Sequence, residues 1–423
     1  MNRSIVPLPS NLISEEIPGL ITRLARKLVH NQLNKIKTGE IVVRENHNEY
    51  YFGSVTKDFP VRVYIDVIHP SLYTDVAFGG SSGSGEAYMK GSWHCSDLVG
   101  LVRIFLRNRD VMNSMDYGIT RLKGPLHKIV HALNRNTRSG SKKNICAHYD
   151  IGNDLFRLFL DDTMMYSSAY YQHDEMTLDQ AAVAKLDLVC KKLQLTPGDH
   201  LLEIGTGWGG LALHAAGNYG CKVTTTTISE EQYRLTVARV RDAGLDDRIT
   251  VLNQDYRDLD GQYDKLVSIE MIEAIGHQYM STYFSKCASL LKADGMMLIQ
   301  AITIKDQFYK TALKDVDFIK KYIFPGGFLP SITAMSDEIS KSTDMKIYHL
   351  QDIGPCYART LKDWRERFFH KLDQIRDLGY SDEFIRLWEY YFCYCEGGFI
   401  ERDIGTVQMV LTKPGNRQSP IML

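Results

Sequence analysis

Leu201-Leu202-Glu203-Ile204-Gly205-Thr206-Gly207-Trp208-Gly209-Gly210 is the stretch on which the fold of this chain turns. Four residues with the character of a buried strand run into a glycine turn, and Leu211 to Tyr219 then reads as a helix. Glycine lets the backbone approach a ligand closely and take φ values that a side chain forbids. The N-terminus of the following helix favours an electronegative group such as a carboxylate. A strand ending in Glu203, followed by Gly205 and Gly207, is therefore a cofactor-binding turn. Gly205, Gly207 and Gly210 also satisfy the dinucleotide pattern G-x-G-x-x-G, so the turn alone does not choose its nucleotide.

Working outward, strands alternate with helices. Cys221 to Ile228 is a β-branched strand, and Glu230 to Ala243 a helix ended by Gly244. Ile249 to Leu252, Lys265 to Ile269 and Met296 to Ile304 supply three more strands, and Thr406 to Thr412 the last. This rhythm predicts an α/β fold, a doubly wound, Rossmann-like sheet of seven strands with a reversed edge. The second strand ends Thr224-Thr225-Thr226-Thr227 without the acid that a nicotinamide enzyme normally places against the ribose. Thr227 and Gln232 can hydrogen-bond ribose hydroxyls instead. After the third strand, Asp255 can accept from an adenine amino group and Tyr256 can stack on the purine.

A chain of 423 residues is long for a single core, and two domains are expected. Residues 1–120 read as a small α+β N-terminal domain. Ile17, Leu20, Ile21, Leu24 and Leu28 recur at helical spacing, with Arg23, Arg26, Lys27 and His30 on the other faces. Short strands follow at Ile41 to Val43, Tyr50 to Phe52 and Val61 to Val67, and Gly79 to Gly85 reads as a tight loop. Residues 121–144 form a basic linker carrying Lys123, Lys128, Arg135, Arg138, Lys142 and Lys143. A solvated connection and a phospholipid-facing patch are equally good readings of it. Residues 145–423 form the catalytic domain.

A formal net charge of -1 gives no sign of a nucleic-acid partner. Eight cysteines lie scattered without metal-ligand spacing, so no metal site is expected and free thiols in a reducing cytoplasm fit best. The first ten residues lack the apolar run of a signal peptide, and nowhere do eighteen apolar residues run together. Membrane contact is thus expected to be peripheral, at the inner face, by a cytoplasmic protein.

Beyond the glycine turn, His148-Tyr149-Asp150-Ile151-Gly152-Asn153-Asp154-Leu155-Phe156, continuing to Met165-Tyr166-Ser167-Ser168-Ala169-Tyr170-Tyr171, resembles the cyclopropane-fatty-acyl-phospholipid synthase family. The form Gly-x-Gly-Trp-Gly-Gly at 205–210 is similar to that family's, as are Thr227 to Gln232, Ser268-Ile269-Glu270-Met271-Ile272-Glu273, Lys321 to Gly327 and Tyr357 to Leu361. Gly85 to Gly91 extends the likeness into the first domain.

The resemblance implies an S-adenosylmethionine (SAM)-dependent methyltransferase acting on the double bond of an unsaturated acyl chain in a membrane phospholipid. The alkene attacks the sulfonium methyl, and the resulting cation must lose a proton from the new methyl for a cyclopropane to close. A bound bicarbonate ion is the implied base, caged by the backbone at Ser168 with Glu273, Gln300, Ile302 and Tyr357. SAM contacts map to Tyr149, Tyr166, Ser167, Glu203, Gly205, Gly207, Thr227, Gln232, Asp255 and Tyr256. A homodimer through the first domain is implied too, while docking of the first domain and of Arg135 to Lys143 on an anionic membrane is expected from the basic stretch in a chain without a membrane span.

Two departures bear on the product. Ser168 stands where many members carry cysteine, an exchange a backbone contact survives. Gln300 stands where others carry histidine, and glutamine donates a hydrogen bond without titrating near neutral pH. Methyl transfer without ring closure, giving a methylene- or methyl-branched chain, is therefore the alternative. A nicotinamide-dependent oxidoreductase and a silent lipid-binding module are the more remote ones.

Overall fold

The computed structural model describes residues 19–117 and 152–421. They form two compact units that are not consecutive blocks of sequence. The first combines residues 19–117 with 316–323 and 364–403, and the second holds the rest. The stretch 145–423 thus gives up two segments to the N-terminal unit. The basic linker lies outside the described residues.

The first unit has a four-stranded sheet of β1 (Gly39–Glu45), β2 (Asn48–Ser54), β3 (Arg62–Val67) and β4 (Trp93–Cys95), in the order β2-β1-β3-β4. β1 runs antiparallel to β2 and parallel to β3. Ile41, Val43, Val63 and Ile65 point into a core with Phe52, Trp93 and Leu98. The glycine-serine run is not a loop. It lies inside the helix Ser71–Met89, broken only at Gly80, where φ is 58°. The glycines serve close packing: a side chain at Gly83 would strike the carbonyl of Asp75, and one at Gly85 the ring of Phe318. Composition alone reads as a turn, and tertiary packing decides otherwise.

The second unit carries the seven-stranded sheet: β5 (His200–Ile204), β6 (Lys222–Thr227), β7 (Ile249–Asn253), β8 (Tyr263–Ile269), β9 (Leu291–Ile304), β10 (Lys346–Asp352) and β11 (Ile404–Thr412). Their order is β10-β11-β9-β8-β5-β6-β7. β5 to β9 pair in parallel, and β11 is antiparallel to both β9 and β10. The reversed strand is therefore one in from the edge, which β10 occupies. β10 escapes a sequence reading because it is half-exposed and carries Lys346, His349, Gln351 and Asp352 among its seven residues. The parallel strands are buried on both faces. Leu202, Ile204, Leu266, Met297 and Ile299 enter one core, while Leu201, Val223, Val267, Met296 and Leu298 enter the other. Register brings Glu203 opposite both Thr225 and Val267, and Ile269 opposite Gln300. The carboxyl ends of β5, β6, β8 and β9 thus share one rim, where open α/β sheets bind ligands.

Candidate active site

The glycine turn forms the first half of that rim. Gly205, Gly207 and Gly209 have φ of 101°, 54° and 84°, all in the region that side chains avoid. Their roles differ. A Cβ at Gly209 would meet Thr236 Cγ2 at 2.7 Å and one at Gly210 the Thr163 carbonyl at 2.6 Å, so both serve packing. A Cβ at Gly207 would meet nothing within 4 Å. That open space lies over a backbone held at positive φ at the carboxyl end of β5, which leaves room for SAM to approach the main chain. Behind the turn, Glu203 is buried and accepts 2.6 Å from Thr225 Oγ1, which accepts in turn from Thr206 Oγ1 at 2.7 Å. Burial pushes the Glu203 carboxyl up to about 8.

Of the other residues expected to hold the cofactor, Thr227 ends β6, and Asp255 and Tyr256 follow β7. Thr227 donates to Gln232 Oε1 at 2.8 Å, so the two residues read as ribose contacts are one hydrogen-bonded pair. Asp255 is clamped by Arg257, whose Nε and Nη2 donate at 2.9 and 2.6 Å. That guanidinium lies 5.7 Å over the Tyr256 ring. Arg257 is a partner that the sequence reading missed, though it stands two residues away. Tyr166 packs against Phe156 at 5.1 Å, and Phe156 against Trp208 at 4.9 Å. Ser167 accepts from Lys185 Nζ at 2.9 Å. Arg239 ties this segment to the turn, donating to the carbonyls of Trp208 at 2.7 Å and Thr163 at 3.2 Å. Tyr149 lies outside the described residues.

The second half of the rim is the segment after β8, and it joins the first through Met271, whose Cγ lies 3.3 Å from where a Cβ of Gly205 would stand. Here the structure brings Ser168, Gln300 and Tyr357 together, around a side chain that the sequence reading passed over. Glu270 Oε1 accepts from the Ser168 N–H at 3.0 Å and from Gln300 Nε2 at 2.7 Å. Glu270 Oε2 accepts from the Tyr357 hydroxyl at 2.7 Å. Glu273 and Ile302 form a separate pair, the Ile302 N–H donating to Glu273 Oε1 at 2.5 Å. Glu273 Oε2 has no hydrogen-bond partner among the described residues. Enclosure pushes the Glu273 carboxyl up to about 8, and the neighbouring Glu270 charge pushes the same way. Enclosure also raises the Glu270 carboxyl, against the pull of its three donors and of Lys185. Two acids so close cannot both ionise freely, and the three donors favour the charge on Glu270.

A further polar chain fixes the Gln300 amide. Lys192 Nζ donates to Gln408 Oε1 at 2.7 Å, and Gln408 Nε2 donates to Gln300 Oε1 at 2.9 Å. Lysine has no acceptor, so Gln408 must turn its oxygen to it, and Gln300 must present its NH2 to Glu270. Gln300 and Gln408 are fully buried and face each other across the β9–β11 ladder. The missed signal in the sequence was the pair of acids three residues apart, of which only Glu273 drew attention. Of the donors assigned to a bicarbonate cage, Ser168, Gln300 and Tyr357 are engaged by Glu270 and Ile302 by Glu273, and the residues present do not fit a second anion among them.

Residues 136–409 match the family model described as mycolic acid cyclopropane synthetase. The chain is 40% identical over 351 residues to the cyclopropane-fatty-acyl-phospholipid synthase of Escherichia coli, covering 82% of this chain and 87% of that protein. It is 37% identical to the tuberculostearic acid methyltransferase of Mycobacterium tuberculosis, covering 79% and 80%. Among solved structures, a mycolic acid cyclopropane synthase complexed with SAH and CTAB superposes with a TM-score of 0.59 at 34% identity, covering 64% of this chain and 98% of that one. With a glycine turn that leaves room for SAM and relatives of this kind along most of its length, the chain belongs to the cyclopropane-fatty-acyl-phospholipid and mycolic acid cyclopropane synthase family of SAM-dependent methyltransferases.

Proposed function

We propose that the protein transfers a methylene unit from SAM to the double bond of an unsaturated acyl chain in a membrane phospholipid, giving a cyclopropane fatty acid. The observation that carries this is the pair of acids Glu270 and Glu273, adjoining the open glycine turn through Met271. SAM supplies an electrophilic methyl group on sulfur. Gly205 and Gly207 admit it to the backbone. Glu203, Thr227 and Gln232 fix its polar groups, as do Tyr166 and Ser167, and Asp255 and Tyr256 receive the adenine. The acid segment provides negative charge beside the alkene carbon that turns positive, where fixed charge outside water acts strongly. Ser168, Gln300 and Tyr357 hold the Glu270 carboxylate in place, and Ile302 holds Glu273 beside it.

Incubation with unsaturated phospholipid vesicles and methyl-labelled SAM, followed by mass and proton NMR analysis of the acyl chains, tests this. Upfield ring protons are expected. Chains that gain no carbon would refute the reading. A second reading rests on Gln300, which does not titrate near neutral pH, and on the likeness to the tuberculostearic acid methyltransferase. Vinylidene protons in the same spectra would establish it over the cyclopropane.

For access to lipid, the proposal places the first unit on an anionic membrane, at the cytoplasmic face. Among the described residues no helix is long and apolar enough to cross a membrane. The helix Leu20–Leu33 instead exposes Leu20, Ile21, Leu24 and Leu28, flanked by exposed Arg23 and Lys27. Such a stripe lies in an interface plane and binds by apolar insertion plus attraction to anionic lipid. Co-sedimentation with anionic vesicles that weakens with salt is expected, and Leu24→Glu should abolish it. A homodimer covering the same stripe would leave sedimentation indifferent to lipid while doubling the mass in solution.

A further inference from the structure

We propose that the Glu270 carboxylate is itself the anion and the proton acceptor of this site, so that turnover needs no bound bicarbonate. This deepens the reading given above and rests on it for the substrate. Three donors from three distant segments, the Ser168 N–H, Gln300 Nε2 and the Tyr357 hydroxyl, converge at 2.7 to 3.0 Å on one carboxylate. A carboxylate presents two oxygens on a planar carbon, as bicarbonate does, and it fills the cage those donors form. The backbone is committed to placing it there. Glu270 has a φ of 48°, a left-handed conformation that a non-glycine residue adopts only at a cost. Its N–H is fixed at 2.8 Å by the Gln300 carbonyl. A strained backbone whose side chain takes three charge-assisted hydrogen bonds points to a positioned group.

The hydrogen bonds also choose the reactive oxygen. Oε1 has both lone pairs occupied, by Ser168 and Gln300. Oε2 accepts only from Tyr357 among the described residues, which leaves one lone pair to receive a proton. Glu270 keeps part of its surface accessible, as a group that must meet a substrate does. Glu273, pushed up to about 8, is neutral beside it at neutral pH, so the pair carries one negative charge. The alkene π pair makes the bond to the donor's methyl carbon as the carbon–sulfur pair leaves with sulfur. A C–H bond of the transferred methyl then breaks, its proton passing to Glu270 Oε2, and its electron pair closes the ring on the cationic carbon. The resulting carboxylic acid returns its proton to water when the product leaves.

Two measurements on the full-length protein test this. In buffer stripped of carbon dioxide, wild-type turnover should be unchanged by added bicarbonate. Glu270→Gln, which keeps size and shape, should lose turnover by a factor on the order of 10² to 10⁴ while binding SAH normally and melting near the wild-type temperature. Turnover of E270Q within threefold of wild type, or wild-type activity that vanishes without bicarbonate, would overturn the proposal. The second measurement needs no lipid and so stands even if the substrate reading fails. With SAH present, carbon-13-labelled bicarbonate should show no bound signal with wild type and a bound signal with Glu270→Gly, which empties the cage. A bound signal with wild type, or none with E270G, would overturn it independently of catalysis.

Discussion

The turn at 205–210 and the acid segment at 270–273 occupy equivalent places, each just past the carboxyl end of a neighbouring parallel strand, yet they solve opposite problems. The first removes side chains. Gly207 leaves open space where a Cβ would stand, and the backbone alone faces the ligand. The second adds one. Glu270 adopts the same left-handed region without being glycine and fills its cradle with its own carboxylate. Positive φ is cheap at the first site and costly at the second. The cost marks where a side chain, and not merely a backbone path, is required. On the proposed reading, emptiness receives the methyl donor, and a fixed charge meets the carbon that accepts it.

The largest effect expected from breaking this contrast is at Gly207. Gly207→Val puts a β-branched residue at a φ of 54° and fills the open space. SAH affinity should fall at least about a hundredfold, roughly 2.7 kcal/mol, measured by calorimetry. Gly209→Ala should do the reverse, since its Cβ would press on Thr236 at 2.7 Å. That variant should lower the melting temperature while SAH affinity in the folded fraction is largely retained. Equal loss of affinity in both would show that the turn does not divide its glycines between ligand and packing.

On the acid side, Tyr357→Phe removes the one donor to Glu270 Oε2 without changing packing volume much. A hydrogen bond to a charged group contributes about 1.5–3 kcal/mol, so turnover should drop roughly ten- to hundredfold. The lost donor favoured the ionised form, so the Glu270 carboxyl rises and the acid limb of the pH–rate profile must move to higher pH. A drop in rate with an unmoved acid limb would place Tyr357 on the substrate and not on Glu270.

How much of this is legible without coordinates follows from what kind of signal each half carries. Glycines at 205, 207 and 209 and the apolar strands around them obey local rules, so the turn, the sheet class and most strands can be read from the chain. The grouping of Ser168, Gln300 and Tyr357 is not local. It came only through likeness to relatives, and the likeness named Glu273 where Ser168, Gln300 and Tyr357 meet Glu270, because which of the two acids meets those donors depends on a backbone twist at 270. The helix over the glycine-serine run escaped for a related reason. Gly83 and Gly85 are there for neighbours far away in sequence or around a helical break, which composition cannot see. β10 was missed because half-exposed strands with mixed polarity carry little periodicity.

A smaller effect concerns stability and pH. Glu203 holds its proton to about 8 when folded, against an unfolded value near 4.5, because burial penalises its charge. A raised folded value means stability is fully present below about 4.5 and declines as pH rises through 8, by up to about 1.4 kcal/mol per pH unit. Glu273 acts in the same window and with the same sign. Lys185, pushed down to about 8 by burial, acts above it: the unfolded chain binds more protons between 8 and 10.5, so stability rises with pH there. Glu203→Gln should flatten the decline between pH 5 and 8 by about one proton, read from urea midpoints across pH. A slope unchanged by E203Q would mean that Glu203 is ionised in the folded protein.

The smallest effect is also the most discriminating, because it reaches Glu270 through two intervening amides. Lys192→Met keeps the apolar stem of a buried lysine but removes the donor to Gln408 and to Gln351, which lies 2.6 Å from Nζ. Nothing then forces Gln408 to keep its oxygen toward position 192, and a flipped Gln408 would no longer donate to Gln300. Gln300 would in turn lose the restraint that aims its NH2 at Glu270 Oε1. Loosening one of three donors, without removing it, should lower kcat by only about three- to tenfold, on the order of 1 kcal/mol. KM for SAM should hold, because none of these residues reaches the glycine turn. The acid limb should shift upward in the same direction as in Tyr357→Phe, but less. If kcat falls with no shift, the Lys192 chain braces β9 against β11 and stops there, and the orientation of Gln300 is set by Glu270 alone.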